Sequence, residues 1–273
     1  MAHILLPTDF SDNALHACAY AGRLFGAEDN VYTLMHAYLD AAPTINTWPG
    51  MADELYKASV TGMDTWAERV KALPELAGAV VRTEVLYGVL PDMLNGLVEE
   101  KRGDIIVMGT QGSAGSDLLG SNAGSVVKHS KVPVLVVPAQ ATAKPVKKIL
   151  YANDDRHVEV AGSRMLLHIA LRTKAEVVLA HVLKSPDDVP DPEVVAMYAE
   201  LLQAVPHRFI SGEGTDIAGV IDYLADQEGA DMVAVLHRHS GFIEGLFRTS
   251  TAKRLALHSH IPLLVLQQLD QQD

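Results

Sequence analysis

The feature that most constrains this chain is that one pattern occurs in it twice. Ile4-Leu5-Leu6-Pro7-Thr8-Asp9 is an apolar run closed by an aspartate, and Ile149-Leu150-Tyr151-Ala152-Asn153-Asp154 repeats it 145 residues on. Val31-Tyr32-Thr33-Leu34-Met35-His36 has its counterpart in Val177-Val178-Leu179-Ala180-His181, and the two histidines are again 145 residues apart. Two landmarks sharing one offset make chance a poor explanation. A chain of 273 residues also has the length for two ordinary domains. The offset then contracts. Asp104-Ile105-Ile106-Val107-Met108 matches Asp231-Met232-Val233-Ala234-Val235 at 127 residues, and His129-Ser130-Lys131-Val132-Pro133 matches His258-Ser259-His260-Ile261-Pro262 at 129. The second copy is therefore shorter in its middle, where the first carries Pro43 to Met63. It is longer by two residues between its fourth and fifth strands.

Each copy reads as strand and helix in alternation. In the first, strands near 3–8, 31–37, 80–87, 104–108 and 133–137 separate helices near 12–25, 52–72, 91–102 and 119–130. Runs such as Asp104 to Met108 are apolar without a period of two, as a parallel strand covered on both faces requires. Ser11 or Asp12 offers an N-cap for the first helix. The pattern predicts an α/β chain of two tandem doubly wound domains, 1–139 and 147–273. Each is a five-stranded, mainly parallel sheet flanked by helices. The small, polar run Ala139-Gln140-Ala141-Thr142-Ala143-Lys144-Pro145 is the boundary.

In such a sheet a ligand binds beyond the carboxyl ends of the strands, where the strand order reverses. Three segments of the first copy can converge there: Pro7-Thr8-Asp9, His36-Ala37, and Gly109-Thr110-Gln111-Gly112 with the following Gly120-Ser121-Asn122. Spaced glycines after a strand let backbone approach an anion, and N–H groups at a helix start bind it. Asp9 can accept from a ribose hydroxyl or a base amino group, and it can equally close an Asx turn before the helix. Together these pieces describe a nucleotide pocket.

The glycine motif, an aspartate ending the first strand and the last strand Val132-Pro133-Val134-Leu135-Val136-Val137 resemble the universal stress protein family, in a tandem form spanning nearly the whole chain. The resemblance implies the fold of the adenine nucleotide alpha hydrolases. It also implies that ATP or another adenine nucleotide, with or without Mg2+, binds the first domain. Adenine and ribose contacts would fall on Pro7, Thr8, Asp9, Ala37 and Met108, and phosphate contacts on Gly109, Gln111, Gly112, Gly120, Ser121 and Asn122. Members pair through their last strands, which a tandem chain can do internally as a pseudo-dimer, with a homodimer as a further possibility. Two departures stand out. Seven residues, Ser113 to Leu119, separate Gly112 from Gly120 where the family has nine, and Thr110-Gln111 replaces a more basic or polar stretch. In the second copy, setting Leu236 against Met108 puts His237 and Ser240 at the first two glycines and Ser250-Thr251 at Gly120-Ser121. No motif glycine survives, and that domain is expected to hold no nucleotide.

The remaining chemistry is sparse. A net charge of −12 speaks against nucleic acid and anionic membranes as partners. One cysteine, Cys18, read as buried in a helix, allows no internal disulfide and suits the cytoplasm. The start of the chain lacks a basic segment and full apolar core, so it does not read as a signal peptide, and no apolar run reaches membrane-span length. His237, His239, His258 and His260 invite a metal reading, but His258 and His260 echo His129 and Lys131 at a helix end, where positive charge meets the helix dipole. Walker, nucleophile-elbow and zinc-protease motifs do not occur. With no base or cationic clamp for a γ-phosphate, a binding and regulatory protein is expected rather than an enzyme, and any ATP hydrolysis would be slow. The alternative is a nucleotide-free interaction module acting through its dimer surface. Pro43 to Met63, with Trp48 and Met51, reads as a lid or as part of that surface.

Overall fold

The structure is a computed structural model and describes residues 1–38, 51–110, 121–153, 160–183, 189, 191–237 and 260–268. The first copy runs β1 (Ala2–Pro7), α1 (Asp12–Phe25), β2 (Asn30–Tyr38), α2 (Met51–Lys71), a 3-10 turn (Pro74–Leu76), β3 (Val80–Tyr87), α3 (Leu90–Glu99), β4 (Ile105–Gly109), α4 (Ser121–His129) and β5 (Val134–Val137). The second runs β6 (Lys148–Asn153), α5 (Arg164–Thr173), β7 (Glu176–Leu183), α6 (Pro192–Leu201), β8 (His207–Glu213), α7 (Ile217–Glu228), β9 (Met232–His237) and β10 (Leu263–Gln267). Among the described residues no helix is long and apolar enough to cross a membrane.

All ten strands join one sheet, in the order β3-β2-β1-β4-β5-β10-β9-β6-β7-β8. Each copy contributes five parallel strands, and the halves meet where β10 pairs antiparallel with β5, Leu264 opposite Leu135. The last strands thus complete each other inside one chain. The central strands are continuous apolar runs because helices cover both faces. β4 is buried over Ile105–Met108 and β5 throughout. The outermost strands β3 and β8 instead mix exposed and half-buried positions. One face packs Trp66, Tyr32, Phe25, Tyr151 and Tyr198 under helices including α1, α2, α5 and α6. The other packs Leu94, Val126, Val127 and Ile221 from α3, α4 and α7.

The repeated aspartates have a repeated task. Asp104 Oδ2 accepts from His3 N–H at 2.7 Å, and Asp231 Oδ2 accepts from the N–H groups of Lys147 and Lys148 at 2.8 and 3.1 Å. Each carboxylate therefore ties the start of a fourth strand to the start of its neighbouring first strand. Ser11 is the N-cap of α1, accepting from Ala14 N–H at 3.2 Å, while Asp12 is the first helical residue and pairs with Arg69 at 2.8 Å. Cys18 is buried, and burial pushes its thiol pKa up to about 12. α5 begins only at Arg164, after a turn, so the repeat is loosest at its first helix.

Candidate functional site

Strand order sets the location. β1 leads outward to β2 and β3, and the chain then returns to β4 on the other side of β1, so the order reverses between β1 and β4. Pro7, Thr8, Asp9, Ala37, Met108 and Gly109 all lie at or just beyond the carboxyl ends of three adjacent strands, β2, β1 and β4. Pro7, Thr8 and Met108 are buried, whereas Asp9 and Ala37 are half-buried. Ser121 opens α4, and Asn122, in its first turn, is exposed. Because β4 and β5 are adjacent and parallel, the crossover helix α4 starts at this same edge. Gln111, Gly112 and Gly120 lie outside the described residues, as does the segment 39–50 with Trp48. Met51 onward belongs to α2, which places Met63 and Trp66 in the core.

The turn between β1 and α1 is held by its own side chains. Thr8 N–H donates to Met35 O at 2.8 Å, Phe10 N–H to Thr8 Oγ1 at 2.8 Å, and Ser11 N–H to Asp9 Oδ1 at 3.1 Å. Asp9 therefore does close an Asx turn. That bond uses one carboxylate oxygen of a half-buried residue. Phe10 is left-handed, with φ of 66°, and its ring lies 4.5 Å from His36 and 6.0 Å from Trp66. His36 Nδ1–H donates to Thr8 O at 2.8 Å, which fixes its tautomer when the ring is neutral. Phe10, His36 and Trp66 form an aromatic wall behind the turn. The sequence gives little sign of it, since a left-handed phenylalanine in a turn has no periodicity to read.

Gly109 has a physical reason that differs from the expected one. A Cβ there would lie 2.5 Å from Asn13 Nδ2, so the side chain of α1's first turn already occupies the space above this strand end. Its φ is not positive, and close approach rather than turn conformation requires glycine. Thr110 is buried, and its N–H donates to Val137 O at 3.2 Å. The switch point is thus narrowed by Asn13, with Asp9 and Met108 at its borders.

In the second copy the described strand ends at the same edge are buried, and the strand register corrects one part of the sequence alignment. Ile106 pairs with Val134 and Gly109 with Val137, whereas Val233 pairs with Leu263 and Leu236 with Leu266. Leu236, not His237, therefore stands at the Gly109 position, and His237 stands at that of Thr110. The 127-residue offset of Asp104 and Asp231 gives this same register, from which setting Leu236 against Met108 departs by one residue. Leu236 and His237 are both buried. His237 Nδ1–H donates to Gln267 Oε1 at 2.9 Å, and Gln267 Nε2 donates to Val127 O of α4 at 3.1 Å. Asp154, Ser240, Ser250 and Thr251 lie outside the described residues, as do His239 and His258. His129 is the last residue of α4, the helix-end position expected of it, and its Nδ1 donates to Ser125 O at 2.9 Å.

A doubly wound pair of copies, each with a crossover point and fused through the last strands, defines the class. The chain belongs to the Universal stress protein family, whose model matches residues 1–138 and again 145–267. It is 34% identical to Universal stress protein MJ0531 of Methanocaldococcus jannaschii over 140 residues, 49% of this chain and 80% of that protein. It is 45% identical to Universal stress protein G of Salmonella typhimurium over 58 residues, 21% of this chain and 41% of that one. Among solved structures, a universal stress protein from Archaeoglobus fulgidus aligns with a TM-score of 0.74 at 20% identity, over 98% of this chain and 97% of that chain. That last likeness carries the fold across both copies.

Proposed function

We propose that the first copy binds an adenine nucleotide at the β1–β4 switch point and that the second copy is a scaffold without a ligand. The observation that carries this reading is the contrast between equivalent edges. Asp9, half-buried, borders the first, while Leu236, His237 and Gln267 are buried at the second. The described residues suit the nucleoside part: Ala37 and Met108 offer apolar walls, and Asp9 places a half-buried carboxylate, an acceptor for hydroxyl or amino groups, at the strand end. The phosphates would lie over Gln111, Gly112, Gly120 and Ser121, toward the positive end of α4. A Mg2+ ion would enter only as their counter-ion.

Binding and regulation, rather than turnover, is the role this supports, because the described residues of the site bring together no general base and cationic clamp. The interaction-module alternative would need a surface other than the edges of the last strands. With β5 flanked by β4 and β10, and β10 by β5 and β9, neither last strand keeps a free edge. The test is denaturing extraction of purified protein followed by mass spectrometry of the released small molecules. Asp9→Asn is the control, since an asparagine still closes the turn to Ser11 N–H while losing the charge. A stoichiometric adenine nucleotide in the parent, reduced about tenfold in affinity in the variant, supports the reading. An empty parent that also gains no thermal stability from added ATP contradicts it.

A further inference from the structure

At the opposite edge of the sheet, the two copies and their linker line a half-open cavity of about 520 Å3. α1 and α5 run back toward the amino ends of the strands, and their last turns meet there. Arg172 Nε donates to Leu24 O at 2.9 Å, and the Phe25 and His168 rings stack at 6.3 Å. The walls are Tyr20, Arg23 and Leu24 from α1, Lys144 and Pro145 from the linker, and Arg172 from α5. Three cations around one cavity are unexpected in a chain of net charge −12.

Helix ends explain part of this cluster and leave the rest. Basic residues in a last turn favour the helix dipole, and Arg23 is neutralised by Glu75 at 2.6 Å. Arg172 caps α1 with Nε only. Its Nη1 and Nη2 make no hydrogen bond or ion pair among the described residues, nor does Lys144, which is exposed on the linker. Tyr20 is 4% exposed and sits under the Arg23 guanidinium at 5.9 Å. Its hydroxyl has no hydrogen-bond partner among the described residues, and burial pushes its pKa up, so it stays a neutral donor. Gly26, with φ of 74°, is also committed to the arrangement, because a Cβ there would lie 2.1 Å from Arg172 Nη2. Leu24 and Pro145 supply an apolar floor between these groups.

We infer that this cavity is a second ligand site, for a small organic anion with a planar apolar body, such as an aryl phosphate or carboxylate. Its acid group would meet Lys144 and the free fork of Arg172 and accept from Tyr20, while the ring would lie on Leu24 and Pro145. A volume of this size suits a small metabolite, and charge-assisted bonds would fix its orientation. Since the two copies and the linker all contribute walls, occupancy would tighten the junction between them. The site is independent of the nucleotide crevice at the carboxyl edge.

Phenyl phosphate titrated into the full chain, followed by amide NMR, tests this directly, with inorganic phosphate and phenol as the bare anion and the neutral ring. Saturable shifts at Tyr20, Thr173 and the linker are expected, with weaker binding of both comparison compounds. Lys144→Ala, an exposed linker change that the fold tolerates, should weaken phenyl phosphate about tenfold. Asp9→Asn should leave it unchanged. No saturable binding, equal binding of inorganic phosphate, insensitivity to Lys144→Ala, or shifts confined to the carboxyl edge would each overturn the inference.

Discussion

The carboxyl edges of β4 and β9 occupy equivalent places in two copies of one fold, and they solve the same packing problem in opposite ways. In the first copy the strand is bare at Gly109 and a helix side chain, Asn13, reaches over it. In the second copy the strand carries Leu236, and the residue bare of side chain is Gly162, just before α5. A Cβ on Gly162 would lie 2.6 Å from Gln267 O and 3.5 Å from Leu236 Cδ1. Polar fill in one copy is replaced by apolar fill in the other, and the His237–Gln267–Val127 bonds seal the second edge against the first copy. Among the described residues, then, the two edges differ by a repacking, and the second has an apolar core of its own.

The strongest way to break that comparison is Leu236→Ala. If Leu236 fills the second edge as core, its removal should destabilise the protein by about 2–5 kcal/mol, read as a lower midpoint in denaturant. A change under about 0.5 kcal/mol, the scale of surface substitutions, would mean that the edge is open rather than filled. Gly109→Ala probes the other side of the comparison. The new Cβ displaces Asn13, at a cost of about 1–3 kcal/mol, and Asn13→Ala in the same chain should recover most of it. Additive losses in that double-mutant cycle would show that the two residues do not meet.

Gln267→Leu sharpens the claim that the copies are sealed together by hydrogen bonds. It strips a partner from His237 and from Val127 O, both inside the sheet junction, and should cost about 1–3 kcal/mol. The smallest expected effect comes with acid. Burial, then the charge of Arg23, lowers the pKa of His16, opposed by a bond to the Ala141 backbone. Burial, then Arg172, lowers that of His168. Both rings bind protons less readily folded than unfolded. Their contribution is therefore full above the unfolded value of 6.5 and is lost as pH falls through the lower folded values. The melting temperature should drop as pH goes from about 7 to about 5.5, and His168→Leu should flatten that part of the profile.

Much of this is legible in the sequence alone. The covered parallel strands announce themselves as unbroken apolar runs, so Ile105–Met108 and Val134–Val137 were found nearly to the residue, and the recurring aspartates at 104 and 231 marked equivalent strand starts. Asp9 and Ser11 showed their places through turn chemistry that depends on near neighbours. What escaped depends on contacts distant in sequence. Nothing near Gly109 says that Asn13 lies above it, and Phe10 joins Trp66 only through the fold. The register at Leu236 is legible too: the 127-residue offset of Asp104 and Asp231 already sets Leu236 against Gly109, and the β9–β10 ladder agrees with it. That the two last strands pair came from family resemblance, since either strand alone reads as a buried run that any neighbour could cover, and the antiparallel sense is seen only in the β5–β10 ladder.

Under the proposed function, the two copies of the fold supply one nucleotide site between them. Calorimetric titration of the full chain with ATP measures that most directly. The account predicts one ATP bound per chain, with affinity weakened by Asp9→Asn. Two per chain would show that the second edge is no sealed scaffold, and none would remove the nucleotide from the first.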